Sequence, residues 1–298
     1  MTEQTRCGYV ALLGRPNVGK STLLNHILKQ KIAITSRKPQ TTRDNLLGID
    51  TESTYQAIYV DTPGIHRHAG RALNRYMVGE ARRVVKDVDV RVFVLEAGQW
   101  TGEDDHVINL MPDASDQNLV VLSKVDLIKR KETLLPTIKK LDSIGKFGQI
   151  IPVSALAGDG LEVLRKEVFN ALPEAPHRYG DEELTDRSER YLVEEIVREK
   201  IMRQTGDEIP HSTAVVVERF IASPDLIEIH ADIYVERDGQ KGIVVGDGGK
   251  RLKLIGQEAR KDIERLLSNK VMLHLWVKVR KGWTNNAGLL RRLGYDKD

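Results

Sequence analysis

Gly14-Arg15-Pro16-Asn17-Val18-Gly19-Lys20-Ser21 is a G-x-x-x-x-G-K-S run placed directly after an apolar stretch, Tyr9 to Leu13, and directly before a helical pattern. That context is the one a phosphate-binding strand-to-helix turn requires. The glycines let backbone N–H groups turn inward around phosphate oxygens, and the helix N-terminus adds favourable partial charge. Lys20 reaches the terminal phosphates, Ser21 supplies a ligand to Mg²⁺, and Thr22 closes the nucleotide-contacting stretch. Glycine-rich turns also arise for packing alone. With all four specified residues and both flanks present, phosphate binding is the better reading.

Working outward, Tyr55–Val60, Val90–Leu95, Leu119–Leu122 and Ile150–Val153 read as further strands separated by helix-length segments. Strands spaced in this way imply a mostly parallel α/β sheet with helices on both faces. Leu172-Pro173-Glu174-Ala175-Pro176 stops a helix at its first proline. The polar run that follows offers little to bury, so a first domain is expected over 1–175, a linker over 176–186 and a second domain over 187–298.

In the second part, Tyr191–Met202 is an amphipathic helix carrying Leu192, Val193, Ile196, Val197 and Ile201 on one stripe. Thr213–Ile221 and Leu226–Glu236 read as strands, the latter alternating strictly between apolar and polar residues, as in a sheet with one buried face. Ile243–Val245 leads into Gly246-Asp247-Gly248-Gly249 and a helix carrying Leu252, Ile255, Ala259, Ile263 and Leu266. A last alternating strand covers Val271 to Val279. This is a small α+β unit.

Nucleotide identity rests on three further stretches. Asp61 in Val60-Asp61-Thr62-Pro63-Gly64 is placed to hold Mg²⁺ through water, and the Gly64 N–H to sense a γ-phosphate. In Ser123-Lys124-Val125-Asp126 the Asp126 carboxylate can accept both the N1–H and the exocyclic amine of guanine, a donor pair adenine lacks, while the Lys124 stem lies over the base. Ser154-Ala155 is placed for a backbone N–H to reach the guanine oxygen. Each motif alone is weak, since Asp at a strand end is often only a helix cap. Their order at successive strand ends, where open α/β sheets bind ligands, carries the reading.

The 298 residues hold 46 basic and 43 acidic side chains, are 40 % hydrophobic, and include no apolar run near the roughly 18 residues a spanning helix needs. Met1 to Gly8 shows neither a secretory nor a transit pattern. A single cysteine, Cys7, forms no internal disulfide and fits a cytoplasmic protein. Residues 241–298 carry 14 basic and 6 acidic groups, against 7 and 16 over 181–240. A polyanion-facing surface there is one reading and a solvated charged face the blander one.

Taken together, these motifs resemble the Era family of GTPases over nearly the whole chain. The resemblance rests on Gly14–Ser21, the switch-like Pro39-Gln40-Thr41-Thr42-Arg43, Asp61–Gly64, Ser123–Asp126, Ser154-Ala155, and a C-terminal domain similar to a KH fold with Gly246–Gly249 as its G-x-x-G loop and Gly282-Trp283 near the tail. It implies a P-loop GTPase domain followed by one KH domain. It further implies a monomeric, GTP/GDP- and Mg²⁺-dependent assembly factor of the 30S subunit, binding near the 3′ end of small-subunit ribosomal RNA. Lys20, Asn17, Gly64 and a switch threonine would serve hydrolysis, with Ser21, Asp61 and that threonine around Mg²⁺. Thr41 and Thr42 both qualify, Thr42 being narrowly preferred.

Three positions depart from the family pattern. Ser123 stands where an asparagine amide usually ties the base to the phosphate loop, a tie whose loss is expected to cost about 1–3 kcal/mol if its partner stays unpaired. Ile65 stands where Ras-like proteins place a water-orienting glutamine, and the resemblance suggests instead K⁺ held beside the phosphates with help from Asn17. Asp247 opposes RNA at the loop tip, so binding leans on Lys250, Arg251 and Lys253 beside Gly246, Gly248 and Gly249.

His66 and His68 read as solvated, Cys7 as inert, and Trp276 and Trp283 as either packed or base-stacking. Asp44, Glu103, Asp104 and Asp105 suggest no paired-carboxylate chemistry. A different class of function, an RNA-binding scaffold with a structural nucleotide site and negligible hydrolysis, competes with the GTPase reading. A small-molecule kinase does not, because it would lack the later motifs. Peripheral association with the inner face of the membrane through the basic C-terminal segment is left open, although nothing amphipathic and long enough argues for it.

Overall fold

The computed structural model describes residues 4–36, 38, 41–65, 79, 83–112, 114–206, 209 and 213–283. It divides into two compact units, and each is built around its own sheet.

The first unit holds a six-stranded sheet in the order β2-β3-β1-β4-β5-β6. Its strands are β1 (Arg6–Leu13), β2 (Leu46–Glu52), β3 (Tyr55–Asp61), β4 (Val90–Glu96), β5 (Ser115–Ser123) and β6 (Phe147–Val153). Every pairing is parallel except β2 against β3. Each predicted strand is present, extended by a few residues. β2 is an element the sequence pattern does not isolate: Leu46-Leu47-Gly48-Ile49-Asp50 has no clean alternation, and its place is set by the tight turn at Ser53 (φ 53°) that folds it back on β3.

Successive residues of β1, β4 and β5 are buried on both faces, as in a parallel sheet covered on each side. On one face Ala11, Leu13, Phe93, Leu95, Val120 and Leu122 pack with Val107 and Ile108 of α2 (Gly102–Leu110) and Leu141 of α3 (Leu135–Ile144). Helices α1 (Lys20–Ile27) and α4 (Leu161–Ala171) contact β3 and each other. Residues 176–186, expected as a linker with little to bury, are tied to this unit. Gln56 of β3 accepts from the backbone N–H groups of Arg178 and Tyr179 and donates to the Tyr179 carbonyl, and Leu184 accepts from Ile49 of β2.

The second unit carries a three-stranded sheet, β7 (Ala214–Ala222), β8 (Ile227–Val235) and β9 (Val271–Val279), with β7–β8 antiparallel and β8–β9 parallel. Ile227, Ile229, Ala231, Ile233 and Val235 of β8 all face a core shared with α5 (Glu189–Gln204) and α7 (Lys250–Leu267). Ile243–Val245 ends a helix, α6 (Asp238–Val245), which breaks at Gly246.

The segment Ile34–Thr41 groups with this second unit. Glu199 of α5 accepts from the Thr35 N–H and hydroxyl, and Arg198, clamped by Glu195, donates to the Thr41 carbonyl. Arg198 and Glu199 are both buried, so these charges are held by their partners rather than by water.

Candidate nucleotide site and RNA loop

The phosphate loop leaves β1 and enters α1 through three residues with positive φ, Gly14 (156°), Asn17 (65°) and Gly19 (105°). Lys20 is buried, and its ammonium donates to the carbonyls of Gly14 (3.0 Å) and Arg15 (3.1 Å), which aims it across the mouth of the loop. Burial lowers its pKa to about 8, against the pull of Asp61 in the other direction. Asp61, fully buried at the end of β3, is raised by desolvation and partly held down by Lys20, Ser21 and Thr42.

Ser21, Thr42 and Asp61 converge. The Ser21 hydroxyl donates to Asp61 Oδ2 at 2.6 Å, Thr42 Oγ1 donates to the same oxygen at 3.2 Å, and the two hydroxyls lie 3.0 Å apart. Asp61 Oδ1 is buried with no hydrogen-bond partner. An orphaned buried carboxylate oxygen beside two hydroxyls is a hard, oxygen-only donor set, which fits Mg²⁺. Of the two switch threonines, Thr41 spends its hydroxyl on the Lys38 carbonyl, so Thr42 alone reaches this cluster.

Gly64 approaches so closely that a Cβ would lie 2.8 Å from Pro16 of the loop, which leaves its position to glycine. Ile65 is fully buried in the core and its N–H donates to the Gly14 carbonyl, so this side chain packs the sheet and orients no water. Thr62 is likewise turned inward, its hydroxyl donating to the Leu12 carbonyl, and Val18 is buried.

The Ser123–Asp126 stretch departs from expectation at one position. The Ser123 hydroxyl donates to the Val18 carbonyl at 2.7 Å and is also 3.2 Å from the Leu95 carbonyl. The tie expected to be lost with the asparagine amide is therefore present, because the short side chain sits at a strand end that passes directly behind the phosphate loop. Lys124 adds a second tie through the Asn17 carbonyl at 2.8 Å. Asp126 is exposed and its Oδ1 accepts from the Ser154 hydroxyl at 2.6 Å, which sets the carboxylate's direction. Ala155 follows at partial exposure.

Two residues that the motifs do not contain organise this site. Glu96, at the end of β4, pairs with Arg15 at 3.2 Å and Lys124 at 3.1 Å, and Asp104 of α2, fully buried, lies 3.3 Å from Arg15. The position of Glu96 at a strand C-terminus was the available signal. Asp104, read without a partner from sequence, closes a capping box with Thr101 as well.

In the second unit the loop Gly246–Gly249 joins α6 to α7. Gly246 has φ 72° and a Cβ there would meet Arg251, whereas at Gly249 (φ 81°) nothing lies within 4 Å. Gly246 thus shapes the turn and Gly249 faces open space. Asp247 and Lys250 pair at 2.9 Å, both highly exposed, so the loop's acidic tip also occupies its nearest lysine. Arg251 is bonded to the Ile243 carbonyl, leaving Lys253 as an exposed cation without that engagement. Trp283 is fully buried and Trp276 nearly half exposed. Cys7 is buried and its thiol pushed up by desolvation. His66 and His68, with Pro39 and Gln40, lie outside the described residues.

Residues 9–124 match the 50S ribosome-binding GTPase family and residues 208–284 the KH domain family. Curated GTPase Era proteins of Ectopseudomonas mendocina and Pseudomonas aeruginosa are each 53 % identical to the chain over 98 % of its length, covering 97 % and 95 % of theirs. The chain belongs to the Era family of GTPases. Two solved Era structures superpose on it at 36 % identity, each covering 98 % of this chain and all of the other. One is Era in complex with MgGDPNP and nucleotides 1506–1542 of 16S ribosomal RNA, at a TM-score of 0.93; the other is an Aquifex aeolicus Era variant bound to GDP and AlF4⁻, at 0.92. A P-loop GTPase unit and a KH unit therefore account for the two sheets described above. Among the described residues no helix is long and apolar enough to cross a membrane.

Proposed function

We propose that this chain is a cytoplasmic GTP-binding and GTP-hydrolysing switch that engages the 3′ region of small-subunit ribosomal RNA and assists assembly of the 30S subunit. The observation that carries the nucleotide half is the meeting of Ser21, Thr42 and Asp61 around an unpartnered Asp61 oxygen, with the Lys20 ammonium aimed across the same loop. Ser21 and Thr42 would hold Mg²⁺ directly and Asp61 through water, and the ion would neutralise charge on the β- and γ-phosphates. Lys20 and the Gly64 N–H would meet the γ-phosphate. Asp126, oriented by Ser154, would read guanine.

Hydrolysis is expected to be slow, since the buried Ile65 provides no group to orient water. Asn17 offers a neutral amide oxygen at the loop, a donor suited to K⁺, and that ion would supply positive charge where an arginine finger otherwise acts. The RNA half rests on the open Gly249 backbone and the exposed Lys253, together with the 16S fragment held by the superposed Era structure. Gly246, Asp247, Gly248, Lys250 and Arg251 complete that loop.

Competition binding of GTP against xanthosine triphosphate to Asp126→Asn tests the guanine assignment. Loss of GTP with gain of the xanthine nucleotide is expected, because an amide there donates where the guanine amine needs an acceptor, whereas xanthine presents an oxygen at that position. Retained GTP preference would remove Asp126 from the base site.

A further inference from the structure

The three-stranded sheet of the second unit has two faces, and the helices cover one of them with Ile227, Ile229, Ala231 and Ile233. On the other face, alternation places Glu228 and His230 side by side on β8. The parallel pairing of β8 with β9 then sets His274 directly opposite His230 and Trp276 opposite Asp232. One ligand atom from each of Glu228, His230 and His274 lies within 4.8 Å of the other two. No part of the nucleotide or RNA reading uses these residues.

We propose that Glu228, His230 and His274 form a surface site for one late first-row divalent cation of the Zn²⁺ class. Two imidazoles and one carboxylate are a donor set that such ions prefer over Mg²⁺, which takes oxygen and keeps its waters. Tetrahedral bonds of about 2.0–2.1 Å hold ligand atoms about 3.3 Å apart. The three donor atoms all lie within 4.8 Å of one another, and Glu228 Oε1 and His230 Nε2 are already nearer than the tetrahedral spacing, so reaching it needs side-chain rotation alone, with no change in strand register.

The rings are already arranged. His230 and His274 lie 4.7 Å apart at their centroids, and Trp276 stacks at 5.3 Å from the first and 5.8 Å from the second, forming an apolar wall beside the donors. A wall of that kind limits access of competing water to the ion. The three donors are each only partly exposed. Without a cation the carboxylate and imidazole satisfy each other, Glu228 Oε1 standing 2.5 Å from His230 Nε2. The ion would take the place of that hydrogen bond, and the fourth position would be left to water or an added ligand. Arg219 of β7, paired in register with His230, is the neighbouring cation that opposes binding, and Glu228 offsets it.

The test is calorimetric titration of Zn²⁺ into the full chain loaded with GDP and excess Mg²⁺, so that Ser21 and Asp61 are already engaged. Co²⁺ absorption then reports coordination. The expected result is one equivalent of Zn²⁺ per chain and four-coordinate Co²⁺ bands. Affinity should fall by more than about 100-fold in His230→Ala and in His274→Ala, beyond the loss caused by removing an outer-shell partner. His274→Gln, which keeps a polar side chain on the strand, should lose the ion as well while leaving GDP affinity and the far-UV spectrum unchanged. Absence of a bound equivalent, or one that persists undiminished in both histidine variants, would overturn the proposal.

Discussion

The Ser123 hydroxyl donates to the carbonyl of Val18 at 2.7 Å, joining the end of β5 to the loop between β1 and α1. A chain with serine where its family usually has asparagine keeps the tie through a shorter side chain. Ser123→Ala should therefore weaken GDP and GTP alike by about 1 kcal/mol, the usual worth of one buried hydrogen bond. That is roughly a fivefold rise in Kd. Fluorescent-nucleotide titration checks it, and unchanged affinity would mean that Lys124 and its bond to the Asn17 carbonyl carry the whole connection.

Lys20 gives nucleotide binding a pH signature. In the free site burial holds its pKa to about 8, and phosphate charge brought beside it would raise that value. The bound state then holds more protons than the free state near and above pH 8, so affinity is full below that range and declines as pH rises through it. Calorimetry at pH 8 in two buffers of different ionisation enthalpy should record proton uptake on GDP binding. Proton release, or no exchange, would place Lys20 away from the phosphates. The nucleotide-free chain has the opposite slope from this group: the unfolded state holds more protons between about pH 8 and 10.5, so the contribution of Lys20 to stability rises with pH there.

The Asp247–Lys250 pair predicts how the RNA loop responds to charge reversal. Asp247→Lys removes a repelling carboxylate and releases Lys250, which should tighten single-stranded RNA. It should also steepen the salt dependence by about 0.7 to 1.4 in log–log slope, one or two added phosphate contacts at about 0.7 each. Gly249→Asp places a side chain in the open space where RNA backbone would approach, at a φ of 81° that side chains rarely adopt. It should abolish RNA binding and leave GTP affinity intact. Titration of a 3′-end 16S RNA strand at two salt concentrations separates the variants. Unchanged affinity and slope in Asp247→Lys, with normal binding by Gly249→Asp, would move the RNA contact off this loop.

What the sequence made legible follows the range over which its signals act. The phosphate loop, the parallel strands and the alternating β8 are local patterns, and period and spacing expose them. The antiparallel β2 is not, since Leu46–Glu52 takes its place from a turn at Ser53 rather than from its own pattern. Ser123 was identified, yet its bond to Val18 depends on the end of β5 meeting the loop between β1 and α1 across 105 positions of chain. Glu96 and Asp104 belong to none of the nucleotide motifs, because their partners on Arg15 and Lys124 are brought to them only by the sheet order. The choice between Thr41 and Thr42 was equally beyond the sequence. Adjacent residues point apart, and the fold sends one hydroxyl to Lys38 and the other to Asp61.

Phosphate release from GTP, followed in K⁺ and in Na⁺ with and without a single-stranded RNA matching the 3′ end of 16S ribosomal RNA, tests the proposed switch most directly. The account predicts slow turnover that is faster in K⁺, lost in Lys20→Ala and insensitive to the cation in Asn17→Ala, with Ile65→Gln giving no large gain. No phosphate release above background in any of these conditions, with GTP and RNA still bound, would contradict it and leave an RNA-binding scaffold with a structural nucleotide.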